Sequence, residues 1–210
     1  MKRILVLLGP PGAGKGTQAE MLKNEFNMLH LSTGDLLRTA LKNGTELGKL
    51  AETYMNKGAL VPDDVIFGLI DTFLSEHSDE SILFDGFPRN EDQAKELDRK
   101  LDGLPYNVLE LKVPDQSVID RLSSRRVCQN CGKLYNISFG GISDGICVEC
   151  GGKIYQRKDD MPETITNRLK VYQAQTKPVS QYYLSKDRLL EIDGEGAVEA
   201  ISGRIRDALA

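Results

Sequence analysis

Five short apolar runs punctuate the chain: ILVLL (4–8), MLHL (28–31), SILF (81–84), NVLELKV (107–113) and LLEI (189–192). Near-continuous apolar character, without polar alternation, predicts strands buried on both faces, the habit of a parallel sheet. Between the runs, Val65, Ile66, Leu69, Ile70, Phe73 and Leu74 recur at helical spacing, as do Ala197, Ile201, Ile205 and Leu209. Strand–helix alternation of this kind predicts an α/β fold, a five-stranded parallel sheet flanked by helices. Two stretches break the pattern. Residues 32–61 read as two short helices, LLRTAL and ELGKLAETYM, and residues 126–161 are rich in Gly and Cys with no helical period. Both are expected as insertions above the carboxyl edge of the sheet, where open α/β folds bind ligands. The remaining segments, 1–31, 62–125 and 162–210, form the core.

Composition narrows the class. The 210 residues are 40% hydrophobic and 28% charged, enough to bury one sizeable core. A net charge of -4 weighs against a large nucleic-acid surface, which makes a metabolite the expected partner. No apolar run is long enough to span a membrane, and Ile4–Leu8, which passes straight into glycines, is too short for a signal peptide. A cytoplasmic location with reduced thiols follows as an expectation.

The first apolar run leads into GPPGAGKGTQ (9–18), and then into a segment where Ala19, Leu22 and Phe26 make an apolar stripe. A glycine-rich loop with a lysine between a strand and a helix is the setting of a phosphate-binding P-loop. Gly9, Gly12, Gly14 and Gly16 permit unusual dihedrals, so that amides turn inward around phosphate oxygens at the helix N-terminus, and Lys15 adds a positive charge. The hydroxyl that usually follows the lysine is displaced by one position: Gly16 stands there and Thr17 comes next.

Four cysteines, Cys128, Cys131, Cys147 and Cys150, lie as C-x2-C-x15-C-x2-C. Two knuckles at this spacing predict a closed tetrahedral metal site, with zinc as the expected ion and a structural role, because four protein ligands leave no open position. Two disulfides or four free thiols are the alternatives.

GPPGAGKGTQ, LSTGDLLR (31–38), FDGFPR (84–89) with Gln93 four residues after its arginine, and QRKDD (156–160) together resemble adenylate kinase over nearly the whole chain. The K-G-T order is that family's version of the loop. The resemblance implies a P-loop core carrying a nucleoside-monophosphate-binding insertion and a lid, and reversible phosphoryl transfer from ATP to AMP giving two ADP. By resemblance, Gly12, Ala13, Gly14, Lys15, Gly16 and Thr17 take the ATP phosphates, with Arg121 and Arg125 beside them, and Leu134, Tyr135 and Gly196 lie at the ATP adenine side. Thr33, Arg38, Ala59, Leu60, Val61, Gly86, Phe87, Pro88, Arg89 and Gln93 take AMP, and Arg157 and Arg168 bridge the two nucleotides. Asp85 would orient a water on the Mg2+ that accompanies ATP. The family favours a monomer, and its metal-bearing lids match the tetracysteine. The stretch NISFGGISDGI (136–146) departs from the family, with Asn136 where a histidine usually follows the tyrosine and no Pro-Pro segment.

The residues agree with that chemistry. A phosphate acceptor is already an anion at neutral pH, so alignment and charge neutralisation replace a general base. The two histidines, His30 and His77, read as structural, whereas arginines stand at segment ends and loops, where their planar forks grip phosphate oxygens. Gln93 offers a donor and an acceptor to an adenine edge. Another small-molecule P-loop kinase remains the alternative. A nucleic-acid-binding zinc ribbon is disfavoured by the acidic balance and by the lack of a basic aromatic strip around the knuckles.

Overall fold

From its first apolar run the chain alternates strand and helix: β1 (Ile4–Leu8), α1 (Lys15–Phe26), β2 (Leu29–Ser32), α2 (Thr33–Lys42), α3 (Glu46–Met55), α4 (Asp63–Glu76), β3 (Ile82–Asp85), α5 (Glu91–Lys100), β4 (Asn107–Lys112) and α6 (Asp115–Ser124). Then come β5 (Arg125–Cys128), β6 (Leu134–Asn136), β7 (Ile154–Tyr155), α7 (Pro162–Val171), α8 (Lys177–Leu184), β8 (Leu189–Asp193) and α9 (Val198–Leu209). The computed structural model describes residues 2–101, 103–139 and 145–210. The middle of NISFGGISDGI, residues 140–144, therefore lies outside the described residues.

All five apolar runs are strands of one parallel sheet in the order β2-β3-β1-β4-β8. β1 is central and buried throughout. The chain leaves it toward β2 and β3 on one side and returns to β4 and β8 on the other, so the loop after β1 sits at the switch of strand order, where such folds open a ligand crevice. Helices cover both faces through residues three or four apart: Ile66 and Ile70 on α4, Ala94 and Leu97 on α5, Ala19 and Leu22 on α1, Ile201 and Ile205 on α9.

The two irregular stretches have structures of their own. α2 and α3 are capped by side chains, Ser32 Oγ accepting from the Asp35 amide and Thr45 Oγ1 from the Gly48 amide. The two helices cross closely because Gly48 has no side chain; a Cβ there would stand 2.2 Å from the Leu41 nitrogen. β5, β6 and β7 make a separate antiparallel sheet with β5 in the middle.

Candidate active site

At the end of β1 the backbone turns through Gly9, Gly12 and Gly14, all at positive φ, and Gly14 is the left-handed residue that opens α1. Gly16 corrects the reading above. It lies inside α1 rather than in an unusual conformation, and the space beside it borders Asp85 and Leu134, at 3.7 and 3.8 Å from a Cβ built there. Lys15 folds back over the loop, its Nζ donating to the carbonyls of Gly9 and Pro10 at 2.8 and 2.9 Å. Burial pushes this ammonium down to about 8, against the pull of Asp85. Asp85 ends β3 nearly buried, with His30 Nε2 3.4 Å from its Oδ2.

Two cavities open at the carboxyl edge of the sheet. The first is lined by Thr33, Ala59, Leu60, Val61, Gly86, Pro88 and Gln93, the second, of about 530 Å³, by residues 11–18, Arg121, Arg125, Leu134, Tyr135, Arg157 and Gly196. They share Lys15, Arg38, Arg89 and Arg168. Basic groups crowd this junction: burial, together with Arg38 and Arg125, pushes Arg157 down to about 10, and burial with Arg125 does the same to Arg168 despite Asp159. Burial also lowers Arg89. Confined cations that depress one another are stabilised by an anion of several charges, which is what a polyphosphate supplies.

Acidic groups aim these cations. Arg125 lays its fork on Asp160, Nε 2.8 Å from Oδ2, and Arg168 donates to the Asp159 carbonyl and to both carboxylates at 3.0–3.2 Å. Asp160 is fully buried. Arg38 rests on Asp35 one turn earlier in α2. Arg121 and Arg168 stand in the last turns of α6 and α7, whereas Arg38 lies in the middle of α2, where the i, i+3 spacing lets Asp35 aim it. Arg121 spends its fork on backbone, donating to the Ala13 and Gly194 carbonyls at 3.1 and 2.9 Å.

Four expected contacts take a different form. Phe87 is fully buried and packs on Phe84 in the core, so its side chain is withdrawn from the first cavity. Gln93 already accepts from the Arg89 amide (2.7 Å) and donates to Asp63 Oδ1 (2.6 Å), which leaves one N–H for a ligand. Arg157 lines the second cavity and not the first. Thr33 lines the first cavity, but its Oγ1 already donates to the Gly86 carbonyl at 2.8 Å.

The four cysteines converge, with all Sγ atoms within 4.8 Å of one another. Cys128 and Cys150 are 3.4 Å apart and Cys131 and Cys147 3.6 Å, far beyond a disulfide bond and close to the roughly 3.8 Å between thiolates set tetrahedrally around an ion at about 2.3 Å. The knuckles repeat one turn: the Gly132 amide donates to the Cys128 carbonyl and the Gly151 amide to the Cys147 carbonyl. Tyr135, although it borders the second cavity, points its hydroxyl at Cys147 Sγ, 3.1 Å away, which pushes that thiol down to about 6. The donor set and spacing fit a closed structural metal site.

The sequence model of the adenylate kinase family matches residues 7–188. The chain belongs to the adenylate kinase family. It is 45% identical over 210 residues to an adenylate kinase of Carboxydothermus hydrogenoformans, covering 98% of each chain. It is also 46% identical over 206 residues to one of Syntrophobacter fumaroxidans, covering 96% of this chain and 97% of that one. A Staphylococcus epidermidis adenylate kinase is 44% identical over 214 residues, covering 98% of each. As a member of this family the chain is a nucleoside-monophosphate kinase, a phosphotransferase of ATP, AMP and ADP that works with Mg2+.

Several residues of this adenylate kinase site escaped the sequence reading. Asp159 and Asp160 were visible only as the tail of QRKDD, and Asp35 as part of STGD. Asp63, which fixes Gln93, carried no local signal, and His30, read as structural, stands beside Asp85. Gln18, buried in α1, donates to the Val198 carbonyl and ties the loop helix to α9.

Proposed function

We propose that the chain transfers the terminal phosphoryl group of ATP to AMP, reversibly, to give two ADP and balance the adenine nucleotide pool. The second cavity takes ATP and the first AMP. The observation that carries this is the junction of the two cavities at Lys15, Arg38, Arg89 and Arg168, a field of positive charge in which the phosphate chain of ATP would meet the single phosphate of AMP.

In this reading the loop amides from Gly12 to Thr17 and Lys15 hold the donor phosphates, and Arg38 and Arg89 the AMP phosphate. Arg125, Arg157 and Arg168 spread over the oxygens that gain charge as the phosphoryl group moves. No side chain removes a proton from AMP, since its phosphate is already ionised. Bound with ATP, Mg2+ neutralises phosphate charge; Asp85 and Thr17, which both line the second cavity, are the residues that would hold its water shell. Arg121 keeps the loop and the Gly194–Gly196 turn together at the adenine of ATP. The remaining Gln93 N–H and the backbone at Ala59–Val61 read the adenine of AMP.

Residues 32–61 and 126–161 act as the two closing parts on the core of 1–31, 62–125 and 162–210. Contacts between them support this: Lys158 reaches Glu52 at 3.2 Å and Lys42 reaches the Gln129 carbonyl at 3.5 Å. Zinc in the tetracysteine cluster stiffens the lid without entering the chemistry. A monomer in the cytoplasm fits, because both cavities are complete within one chain and four close thiols persist in a reducing compartment. Among the described residues no helix is long and apolar enough to cross a membrane.

An acceptor screen tests the reading. With ATP as donor, ADP formation should be fastest with AMP and lower by about tenfold or more with UMP, CMP and GMP, because a wrong base leaves buried polar groups unpaired. Equal rates with AMP and UMP would leave a kinase of broader acceptor range.

A further inference from the structure

Between α7 and α8 the hydrogen-bond pattern changes for one turn, and Tyr172–Thr176 form a π-helix. Short π turns inside helical runs recur at functional sites, since the extra residue re-aims the side chains around it. Here both ends of the turn border the first cavity. At its start, the Tyr172 hydroxyl lies 3.4 Å from Oε1 of Glu110, a carboxylate buried in β4 whose Oε2 is 3.0 Å from Lys112 Nζ. At its end, Thr176 Oγ1 donates to the main-chain carbonyl of Arg89 at 2.7 Å, across 87 residues of sequence.

Arg89 is held on its other sides as well. Its amide donates to Gln93 Oε1 at 2.7 Å and its Nε to the Gly86 carbonyl at 2.8 Å. The remaining guanidinium nitrogens are what it has left for a ligand. Since the arginine sits between a strand end and the N-terminus of α5, its aim depends on how firmly its backbone is fixed. The Thr176 hydrogen bond fixes the carbonyl side, and the Tyr172–Glu110 contact anchors the turn that carries Thr176 to the sheet.

We propose that this π turn is a brace for Arg89, and that Thr176 is a positioning residue for binding the acceptor's phosphate. The inference rests on the reading that Arg89 grips that phosphate. It is tested by steady-state kinetics of Thr176→Val, Thr176→Ala, Thr176→Ser and Arg89→Ala, with melting temperatures measured alongside. Val and Ala both remove the hydroxyl, one keeping the branched shape and one not, so a folding defect of either leaves the other to report. Each should raise KM for AMP about five- to tenfold, the effect of one lost hydrogen bond to a buried carbonyl, and leave KM for ATP within about twofold. Ser should restore KM for AMP. An unchanged KM for AMP, an equal rise in both KM values, or failure of Ser to restore would overturn the brace. Arg89→Ala separates the two levels: if it raises KM for AMP while Thr176→Val does not, only the brace falls; if it leaves KM for AMP unchanged, the placement of AMP falls and the brace with it.

Discussion

The phosphate loop and the lid carry charge to the same place but are held there by different means. The loop hangs from β1, the central strand of a sheet packed on both faces, where residues such as Val6, Phe84 and Leu109 are fully buried and each contributes about 1.5–3 kcal/mol. Among its described residues the lid has three short strands and little apolar interior. Val127, Cys128 and Cys147 are buried, whereas Ile137, Ile146 and Tyr155 are half exposed and Val148 is 69% exposed. What replaces a core there is the cluster of four sulfurs. The loop can therefore present Lys15 in a fixed position, while Arg125 and Arg157, at the borders of the lid, depend on a small unit with little core of its own, which a metal would hold together. Catalytic power and lid stability should accordingly be separable by mutation.

The largest expected effect removes charge from the rigid side. Lys15→Ala should lower turnover by about a thousandfold or more, because a preorganised cation facing developing charge can lower the barrier by several kcal/mol. Its melting temperature should stay near that of the parent, since Lys15 contributes two hydrogen bonds to loop carbonyls and little packing. A folded variant of near-normal rate would end the assignment of the loop.

Cys147→Ser should show the opposite balance. One thiolate of the cluster and the acceptor of the Tyr135 hydroxyl are lost together, so the melting temperature should drop by several degrees, about 1–3 kcal/mol in a domain of this size. Activity should fall only in part at low temperature and further on warming, because closure weakens while the loop persists. Metal analysis of protein purified without added zinc should find about one ion per chain.

A smaller effect separates free loop from loaded loop. Lys15 works as a cation, and its burial places its titration near 8, so raising the pH above that value removes the active form of the free enzyme. The kcat/KM for ATP should then fall by about tenfold per pH unit above 8, whereas kcat should hold to higher pH because bound phosphates pull the pKa back up. Parallel decline of both, or a flat kcat/KM to pH 9.5, would mean that Lys15 stays protonated without phosphate.

Much of this arrangement was legible in the sequence, and the reasons for success and failure are physical. β1 and β3 are buried along their whole length and left unbroken apolar runs, whereas the edge strands β2 and β8 are only partly buried and their runs carry His30 and Glu191. The phosphate loop and the cysteine knuckles are local, their geometry encoded within ten residues or in a repeated C-x2-C-G. What stayed hidden joins distant segments. That Asp63 takes one N–H of Gln93, and that the Tyr135 hydroxyl is turned onto Cys147, could not be read from the local motifs. Phe87 shares a motif with site residues yet turns into the core, where it packs on Phe84. The π turn has no local signature, because the contacts that hold it, Glu110 and the Arg89 carbonyl, are 62 and 87 residues away.

The separation between core and lid is tested most directly by amide hydrogen exchange, read segment by segment before and after the protein is stripped of metal with a chelator. Stripping should raise exchange in β5, β6 and β7 and in both knuckles, and leave β1, β3, β4 and the start of α1 as protected as before. Loss of protection in the central strands together with the lid would show one cooperative unit. No change in the lid would show that the four sulfurs hold it without an ion, and either result would contradict the account.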